Sequence, residues 1–277
     1  MCTESSSSQL WRASNLHTHT WRCHHAQGDV DEYCRQAHEK GLRLLGISDH
    51  TPLPDGRWAS IRMAMSELDG YDRAVEAARR HHPSLRILKG MECEFVPEFS
   101  SFFRETLLGE RKFDYLVGGI HLFRKDAEWH HSSNGVKTPQ FLRAYTDFFI
   151  SAMASGLFTF MAHPDLFAWS WPSWDVETQS CVRAICDAAR DLNMPLEINA
   201  NGLRQWPVHN GGKARQPYPW LPFWEVAADC RVQCLVSADA HHPEEIHDRA
   251  VQQAFAMAES LLDQPSAFSW LESLCQA

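Results

Sequence analysis

The sequence lacks the cysteine spacings that mark a disulfide framework or a zinc finger. Its nine cysteines are scattered from Cys2 to Cys275, and no Cys-x-x-Cys pair occurs among them. An odd number of cysteines without a pattern is typical of reduced thiols that pack as small apolar side chains. We therefore expect free thiols and a cytoplasmic location.

Long apolar runs and an excess of positive charge are also absent. No eighteen apolar residues follow one another, and residues 1–8 do not resemble a signal peptide, so no membrane partner is expected. The 26 basic and 35 acidic side chains give a net charge of -9, which repels polyanions at long range. We expect no nucleic-acid partner, although a locally basic cleft remains compatible with this charge. Nothing indicates the oligomeric state.

Linkers, internal repeats and charge blocks are missing as well, so the chain is predicted to form a frayed or disordered tail (residues 1–12) and a single domain (residues 13–277). Short apolar runs alternate with amphipathic stretches, the pattern of an α/β protein built from strand-helix units. Seven strands are predicted near Ala13–Leu16, Arg43–Ile47, Leu85–Gly90, Asp114–Ile120, Leu157–Ala162, Pro195–Ile198 and Gln233–Ser237.

Five helices are predicted between or after these strands. Pro139 at a first helical position after Thr138, and Gly156 as a stop, illustrate the boundary signals used. The helices cover Val30–Lys40, Ser66–Arg80, Pro139–Ser155, Val176–Leu192 and Glu244–Leu262, and long loops are predicted at Leu122–Lys137, Pro164–Asp175 and Asn199–Pro219.

Imidazole and carboxylate side chains follow six of the seven predicted strands. If the strands are parallel, their carboxyl ends converge on one face, where barrels and open α/β sheets bind ligands. In His17-Thr18-His19, an extended backbone turns both rings to the same side. The residues at or just after the strand ends are His17, His19, Asp49, His50, Glu92, His121, His163, Asn199, Asp239 and His241.

These side chains are the ligands of Zn2+, Mn2+ and Fe2+, and the absence of cysteine among them favours a catalytic site. Several ions are predicted, because one catalytic ion takes only three or four ligands. Any single strand-end histidine is more often a hydrogen-bonded histidine without a metal, so the prediction depends on the recurrence. His24 or His25 could complete the cluster, and the spacing leaves that choice open.

Two arginines and one aromatic stretch are further candidates. Arg204, in a loop beyond a strand end, could grip a phosphate with its guanidinium group, and Arg124 is a weaker candidate for the same role. A surface salt bridge is an equally weighted interpretation of Arg204. Trp169, Trp171 and Trp174 could wall a binding pocket or pack over the barrel, and the sequence does not distinguish these alternatives.

The motifs occur together in an order that resembles the polymerase and histidinol phosphatase (PHP) superfamily, and most closely its histidinol-phosphatase branch. The resemblance runs from about Leu16 to His242. Its motifs are His17-Thr18-His19, Cys23 and His25, Ser48-Asp49-His50-Thr51-Pro52-Leu53-Pro54, Gly90-Met91-Glu92, His121, His163, Gly202-Leu203-Arg204 and Asp239-Ala240-His241.

This resemblance implies a distorted (β/α)7 barrel, similar to a TIM barrel, with three divalent ions (Zn2+, Mn2+ or Fe2+). It also implies that His25, rather than His24, is a ligand. In the family pattern the first ion is held by His17, His19, Glu92 and Asp239, the second by Glu92, His121 and His163, and the third by His25, His50 and His241.

The implied activity is phosphate monoester hydrolysis, converting L-histidinol phosphate and water to L-histidinol and phosphate in histidine biosynthesis. As a hypothesis, a metal-activated water attacks phosphorus while the ions and Arg204 offset the charge, and Asp165 or a metal-bound water protonates the leaving group. The alternatives are a phosphatase or phosphodiesterase acting on a nucleotide or another small phosphate ester, and a non-enzymatic metal-binding subunit. One departure from the pattern is that His163–Trp169 lacks the arginine that often follows this histidine.

Overall fold

The computed structural model describes residues 10–209 and 214–263, together with Phe268, Trp270, Leu271 and Leu274. The strands in this part are β1 (Ser14–Asn15), β2 (Leu44–Ile47), β3 (Arg86–Cys93), β4 (Tyr115–Gly119), β5 (Leu122–Lys125), β6 (Glu128–His131), β7 (Phe160–Ala162), β8 (Leu196–Asn199) and β9 (Cys234–Ser237). All seven predicted strands are confirmed. They form one parallel sheet in the order β1-β2-β3-β4-β7-β8-β9.

The sheet curls until its first and last strands meet, which makes a nearly closed barrel of a single domain. A parallel bridge joins Thr18 to Ala240, and the His19 amide donates to the carbonyl of Ala240 at 2.9 Å. Asn15 accepts a hydrogen bond from the Ala238 amide at 2.9 Å. The predicted (β/α)7 barrel is therefore confirmed, and all seven strands end on the same face.

Helices cover the outside of the barrel. They are α1 (Val30–Glu39), α2 (Leu68–His81), α3 (Pro139–Ala154), α4 (Val176–Asp191), α5 (Leu221–Asp229) and α6 (Arg249–Leu261). Asp29 and Glu32 form a capping box at the start of α1, and Gly41 follows its end with a φ of +73°. Among the described helices, none combines the length and the apolar character that crossing a bilayer requires.

Several details differ from the predicted elements. The predicted helix Glu244–Leu262 is two elements, a 3-10 helix (Pro243–His247) and α6. Asp248 separates them, because its side chain caps α6 by accepting a hydrogen bond from the Val251 amide. The predicted loop Leu122–Lys137 contains the β5–β6 hairpin and a short helix at Ser132–Gly135. Helix α5 and a π-helix were not predicted, since their apolar residues follow no clear helical period; the π-helix covers Phe102–Glu110.

The predicted tail, residues 1–12, overlaps the described part only at its last three residues. There Trp11 is buried and its ring packs against Phe255 and Phe268. Residues 1–9 lie outside the described residues, so the extent of the tail stays a prediction.

A tyrosine ring fills the barrel interior. The Tyr115 side chain crosses the barrel interior, and its hydroxyl donates a hydrogen bond to the carbonyl of Leu16 at 2.7 Å. A Cβ at Gly46 would lie 2.0 Å from that hydroxyl, and a Cβ at Gly90 would lie 2.3 Å from the ring. Both glycines are therefore required by close approach of the ring, and the packed interior leaves the strand ends as the polar face.

Candidate metal centre

The carboxylate of Glu92 lies at the centre of the histidines predicted from the strand ends. Its Oε2 atom is 3.3 Å from His17 Nε2, 3.4 Å from His19 Nε2 and 3.0 Å from His50 Nδ1. Its Oε1 atom is 3.1 Å from His163 Nε2 and 3.6 Å from His121 Nε2. Glu92 therefore faces two groups of imidazoles, one with each oxygen.

Asp239 and the remaining histidines complete the cluster. Asp239 Oδ1 lies 3.1 Å from His19 Nε2, and the rings of His19 and His241 stack with centroids 4.4 Å apart. The ring of His25 is 4.9 Å from that of His241 and 5.3 Å from that of His50. All nine predicted ligands thus lie in one place. His24 and His25 are both exposed, but of these two only His25 belongs to a group of close ligand atoms among the described residues.

Several three-residue groups have ligand atoms within 4.8 Å of one another, close enough to share an ion. These groups agree in part with the predicted division among three ions, which remains a prediction. They are His17-His19-Glu92, His50-Glu92-His121, His19-His50-His241, Cys23-His25-His241 and His19-Cys23-Asp49. Cys23 and Asp49 are not among the nine ligands that the family pattern implies, although Asp49 is one of the predicted strand-end side chains. Asp49 accepts hydrogen bonds from the Thr20 amide and hydroxyl.

The donor set fits divalent cations because its buried polar atoms have no other partner. A buried polar atom without a hydrogen bond is costly, and native proteins contain few of them. Four unpartnered buried atoms face one another here: His17 Nε2, His19 Nε2, His50 Nδ1 and Glu92 Oε2. Bound cations would satisfy the nitrogen and oxygen lone pairs that converge on this point.

The pKa shifts in the cluster differ from one ligand to the next. Burial works to raise the pKa of Glu92, but His121, His17 and His50 together lower it well below its usual value. Burial and the neighbouring His241 lower the pKa of His19 to about 3. An ionised Glu92 beside a neutral His19 is the protonation state that metal binding requires. Burial acts to lower the pKa values of His17 and His121, but the surrounding carboxylates raise both, so these two rings must give up a proton to bind an ion.

Two of the predicted ligands have an unusual backbone conformation. His163 and Asp239 have φ values of +30° and +47°, in the region of backbone angles that residues other than glycine rarely adopt. Non-glycine residues hold such conformations only where their surroundings enforce them, often at functional sites.

A cavity of about 320 Å³ opens above the cluster. Among the described residues, its lining contains no lysine or arginine. Besides predicted metal ligands, the lining consists of Ile61, Leu122, Leu166, Trp169 and Tyr218 on the more apolar side, and His131, Ser133, Asn201 and Gln205 on the polar side. Of the three tryptophans left open by the sequence, Trp169 walls the cavity. Trp171 is buried and donates to Thr178, and the Trp174 ring packs on Trp220.

Arg204 does not reach this cavity, in contrast to its predicted role in phosphate binding and catalysis. Its Nε atom donates to Asp248 Oδ2 at 2.9 Å, and its other nitrogens donate to Asp248 and to the carbonyls of Ala238 and Glu245. The guanidinium fork is therefore occupied by a salt bridge, as in the alternative interpretation, but the Arg204 side chain is only 13% exposed instead of lying on the open surface.

Arg124 and Asp165 are also directed elsewhere. Arg124 is on the hairpin, where it donates to Glu98 at 2.9 Å and does not line the cavity. Asp165 is fully buried, and its Oδ2 accepts from the Trp220 amide at 2.6 Å and the Trp224 indole at 3.1 Å. Burial raises the pKa of Asp165 to about 6. Its position fits an anchor for the segment before α5 and does not support the predicted proton donor.

Two buried carboxylates behind the ligands were missed by sequence reasoning. Glu197 Oε1 lies 2.8 Å from His17 Nδ1, and Glu94 Oε1 lies 2.7 Å from His121 Nδ1. A charged residue inside the apolar run of β8 was an available signal for Glu197. Glu94 stands two residues after Glu92, the spacing that places two side chains on one side of an extended chain.

Comparisons with known proteins agree with this architecture. A Deinococcus radiodurans protein named "Probable histidinol-phosphatase" is 29% identical over 245 residues, which are 83% of this chain and 86% of that protein. A Shewanella amazonensis protein named "Probable phosphatase" is 27% identical over 82% of this chain and 76% of its own length.

A solved structure shares the fold. The histidinol phosphate phosphatase HisK of Lactococcus lactis, solved with zinc, L-histidinol and phosphate, superposes with a TM-score of 0.68 at 15% identity. The match covers 90% of this chain and 93% of that one. Residues 15–201, two thirds of the chain, match the PHP domain. Together with the seven-stranded barrel and its histidine-rich end, this match means that the chain belongs to the PHP domain family.

Proposed function

We propose that the protein is a metal-dependent phosphatase of the PHP family whose substrate is L-histidinol phosphate. The observation that carries the proposal is the convergence of seven histidines and two carboxylates on one end of the barrel, with unpartnered buried atoms between them. The nine predicted ligands would hold three divalent ions, and Zn2+, Mn2+ and Fe2+ all suit this donor set.

Bound ions would supply positive charge to the phosphoryl oxygens and lower the pKa of water, as divalent ions do in other hydrolases. Glu92 would bridge neighbouring positions, because each of its oxygens faces a separate group of imidazoles. Asn201 and Gln205 line the same cavity and offer amide groups for hydrogen bonds to the ester. With Arg204 and Arg124 turned away, the phosphate charge would be offset mainly at the cluster.

The substrate assignment rests on size and on resemblance. The cavity volume of about 320 Å³ lies at the small end of ligand sites, which suits a compact ester rather than a polymer. The Deinococcus relative is named for histidinol phosphatase, and the Lactococcus neighbour was solved with L-histidinol and phosphate. Both support a place in histidine biosynthesis.

A second candidate is a phosphatase that acts on a nucleotide or another small phosphate ester. It is favoured by the missing arginine after His163, since the segment continues Pro164-Asp165-Leu166-Phe167-Ala168-Trp169. It also agrees with the Shewanella relative, whose name specifies no substrate.

The test is phosphate release by metal-reconstituted protein from L-histidinol phosphate, AMP, an aryl phosphate and a single-stranded oligonucleotide at equal concentration. A His17→Ala variant is the control for the metal site. Asp126→Asn, a substitution in an exposed turn, is the control for effects of mutagenesis and purification on activity. Preference for histidinol phosphate that is lost only in His17→Ala supports the assignment. Turnover of another substrate instead would contradict the substrate and keep the metal chemistry, while no turnover of any would contradict the enzymatic proposal.

A further inference from the structure

We propose that Glu197 and Glu94, which are not predicted metal ligands, are positioning residues that orient His17 and His121 toward the ions. The inference rests on the proposed metal site but concerns how the chain builds it. Histidines that bind metals commonly donate their second ring N–H to a carboxylate, which fixes the ring and its tautomer. Neither residue followed from the strand-end pattern.

Glu197 lies behind His17, on the side away from the cluster. Its side chain is fully buried, and Oε1 is 2.8 Å from His17 Nδ1 while His17 Nε2 faces Glu92 and Asp239 at 3.3 and 3.6 Å. The Oε2 atom accepts from the His163 amide at 3.1 Å and from the Asn199 amide group at 2.7 Å. One carboxylate therefore braces both His17 and the backbone of His163.

Glu94 has the same relation to His121 on the opposite side of Glu92. Its Oε1 is 2.7 Å from His121 Nδ1, and the Nε2 of that ring is 3.6 Å from Glu92 Oε1. Glu94 also accepts from the Leu122 amide at 3.2 Å and from Arg62 at 3.0 Å. Arg62 is 1% exposed, so the negative charge of Glu94 is balanced by a buried guanidinium.

Each carboxylate is surrounded by donors alone, which makes the arrangement specific for an acceptor-only group. Three N–H groups point at Glu197 and three at Glu94 when the ring Nδ1 atoms carry hydrogen. A glutamine in either place must turn its own NH2 toward a donor, or force the ring to move its hydrogen to Nε2. In the second case, Nε2 loses the lone pair that a metal needs.

Other ligand histidines are held differently, which gives the proposal an internal contrast. The Nδ1 atoms of His25 and His241 lie 2.7 and 3.1 Å from the carbonyls of Cys23 and Asp239. Carbonyls are neutral and close in sequence, so these two rings do not depend on a distant carboxylate. Loss of Glu197 or Glu94 should therefore weaken ions near Glu92 more than an ion near His25.

The experiment compares Glu197→Gln and Glu94→Gln with Glu197→Asp, Glu94→Asp and the wild type. Asp72→Asn is the matched control, because Asp72 forms a part-buried ion pair with Lys89 and Arg111 on the outside of the barrel. Zinc affinity is measured by competition with a chromophoric chelator. We expect each Gln variant to bind at least one zinc ion about 10- to 100-fold more weakly, with partial recovery in the Asp variants and no such loss in Asp72→Asn.

A spectroscopic readout separates positioning from a general loss of stability. In zinc-loaded wild type, NMR should show low-field Nδ1–H proton signals for His17 and His121, as expected of N–H groups that donate to carboxylates. Each Gln variant should lose the signal of its own histidine and keep the other one.

The outcomes keep this inference distinct from the proposed function. Wild-type zinc affinity in both Gln variants, or the absence of both Nδ1–H signals in the wild type, would overturn it even if histidinol phosphate is hydrolysed. The wild-type measurement remains decisive should a Gln variant fail to fold. Conversely, weakened zinc binding in a protein that hydrolyses no phosphate ester would uphold the positioning roles and contradict the function.

Discussion

At the scale of single residues, Gly119 leaves the space that the central carboxylate occupies. A Cβ there would lie 2.2 Å from Glu92 Oε1 and 2.8 Å from its carboxyl carbon, closer than such atoms can approach. We expect Gly119→Ala to turn the carboxylate aside and to lower metal affinity and activity by about 10- to 100-fold, the range found when the support of a metal site is lost. Metal content and kcat measure the effect.

The control is Gly70→Ala in α2, where the nearest atom to the new Cβ is 4.0 Å away. That change should leave metal content unaltered and raise helix stability slightly. Equal metal content in Gly119→Ala and the wild type would mean that Glu92 is free to adjust, against its central role.

A substitution of Arg204 distinguishes its predicted role in phosphate binding from its observed role in the salt bridge with Asp248. The Arg204 guanidinium group donates hydrogen bonds to Asp248 and to two backbone carbonyls. A lysine has a single ammonium group and cannot reproduce this set of hydrogen bonds. We expect Arg204→Lys to lower the free energy of unfolding by about 2 to 3 kcal/mol. The KM for the phosphate ester should change by less than about threefold. A large rise in KM with unchanged stability would restore the phosphate-binding role.

At the scale of elements, Asp29 couples the cap of α1 to Arg22. Burial acts to raise the pKa of Asp29, but hydrogen bonds from Arg22 and the Val30 amide lower it overall. A lowered carboxyl pKa stabilises the fold above the unfolded pKa of about 3.9, and that contribution is lost as the pH falls through the folded pKa. The ion pair therefore strengthens the start of α1 at neutral pH.

Asp29→Asn keeps a capping oxygen and removes the charge, so it isolates this contribution. Because the Asp29 side chain is 38% exposed, solvent screening limits the expected loss to about 0.5 to 1 kcal/mol at pH 7. The difference from wild type, taken from urea unfolding, should shrink as the pH is lowered from 5 toward 3. A difference that is independent of pH would rule out the charge as its cause.

At the scale of the whole molecule, the barrel end gathers buried carboxylates and imidazoles whose lone pairs bound cations would satisfy. Ions that bind the native state alone stabilise it by about 2.7 kcal/mol per site at a hundredfold excess over Kd. We expect Tm to rise with added zinc or manganese and to fall by several degrees after chelation. The same titration of His17→Ala should give a smaller rise in Tm. A wild-type Tm that changes with neither metal nor chelator would contradict the metal centre.

Several features of the fold and the site could be predicted from sequence because they depend on local pattern. Apolar runs bounded by turn residues located all seven strands, and a parallel barrel necessarily brings the ends of such strands together. His17, Glu92 and Asp239 therefore had to meet, whatever the details of the loops. The choice of His25 over His24 needed the family pattern, since both rings lie in one short loop.

The tertiary structure alone decided the partners of long polar side chains. His17 contacts Glu197, which is 180 residues away in sequence, and Arg204 contacts Asp248, which is 44 residues away. No local period records such pairs, because a flexible side chain can reach many neighbours once the chain is folded. The sequence by itself determined a metal-binding barrel end; the packing around it determined which carboxylates brace the ligands and which arginine is bound within the protein.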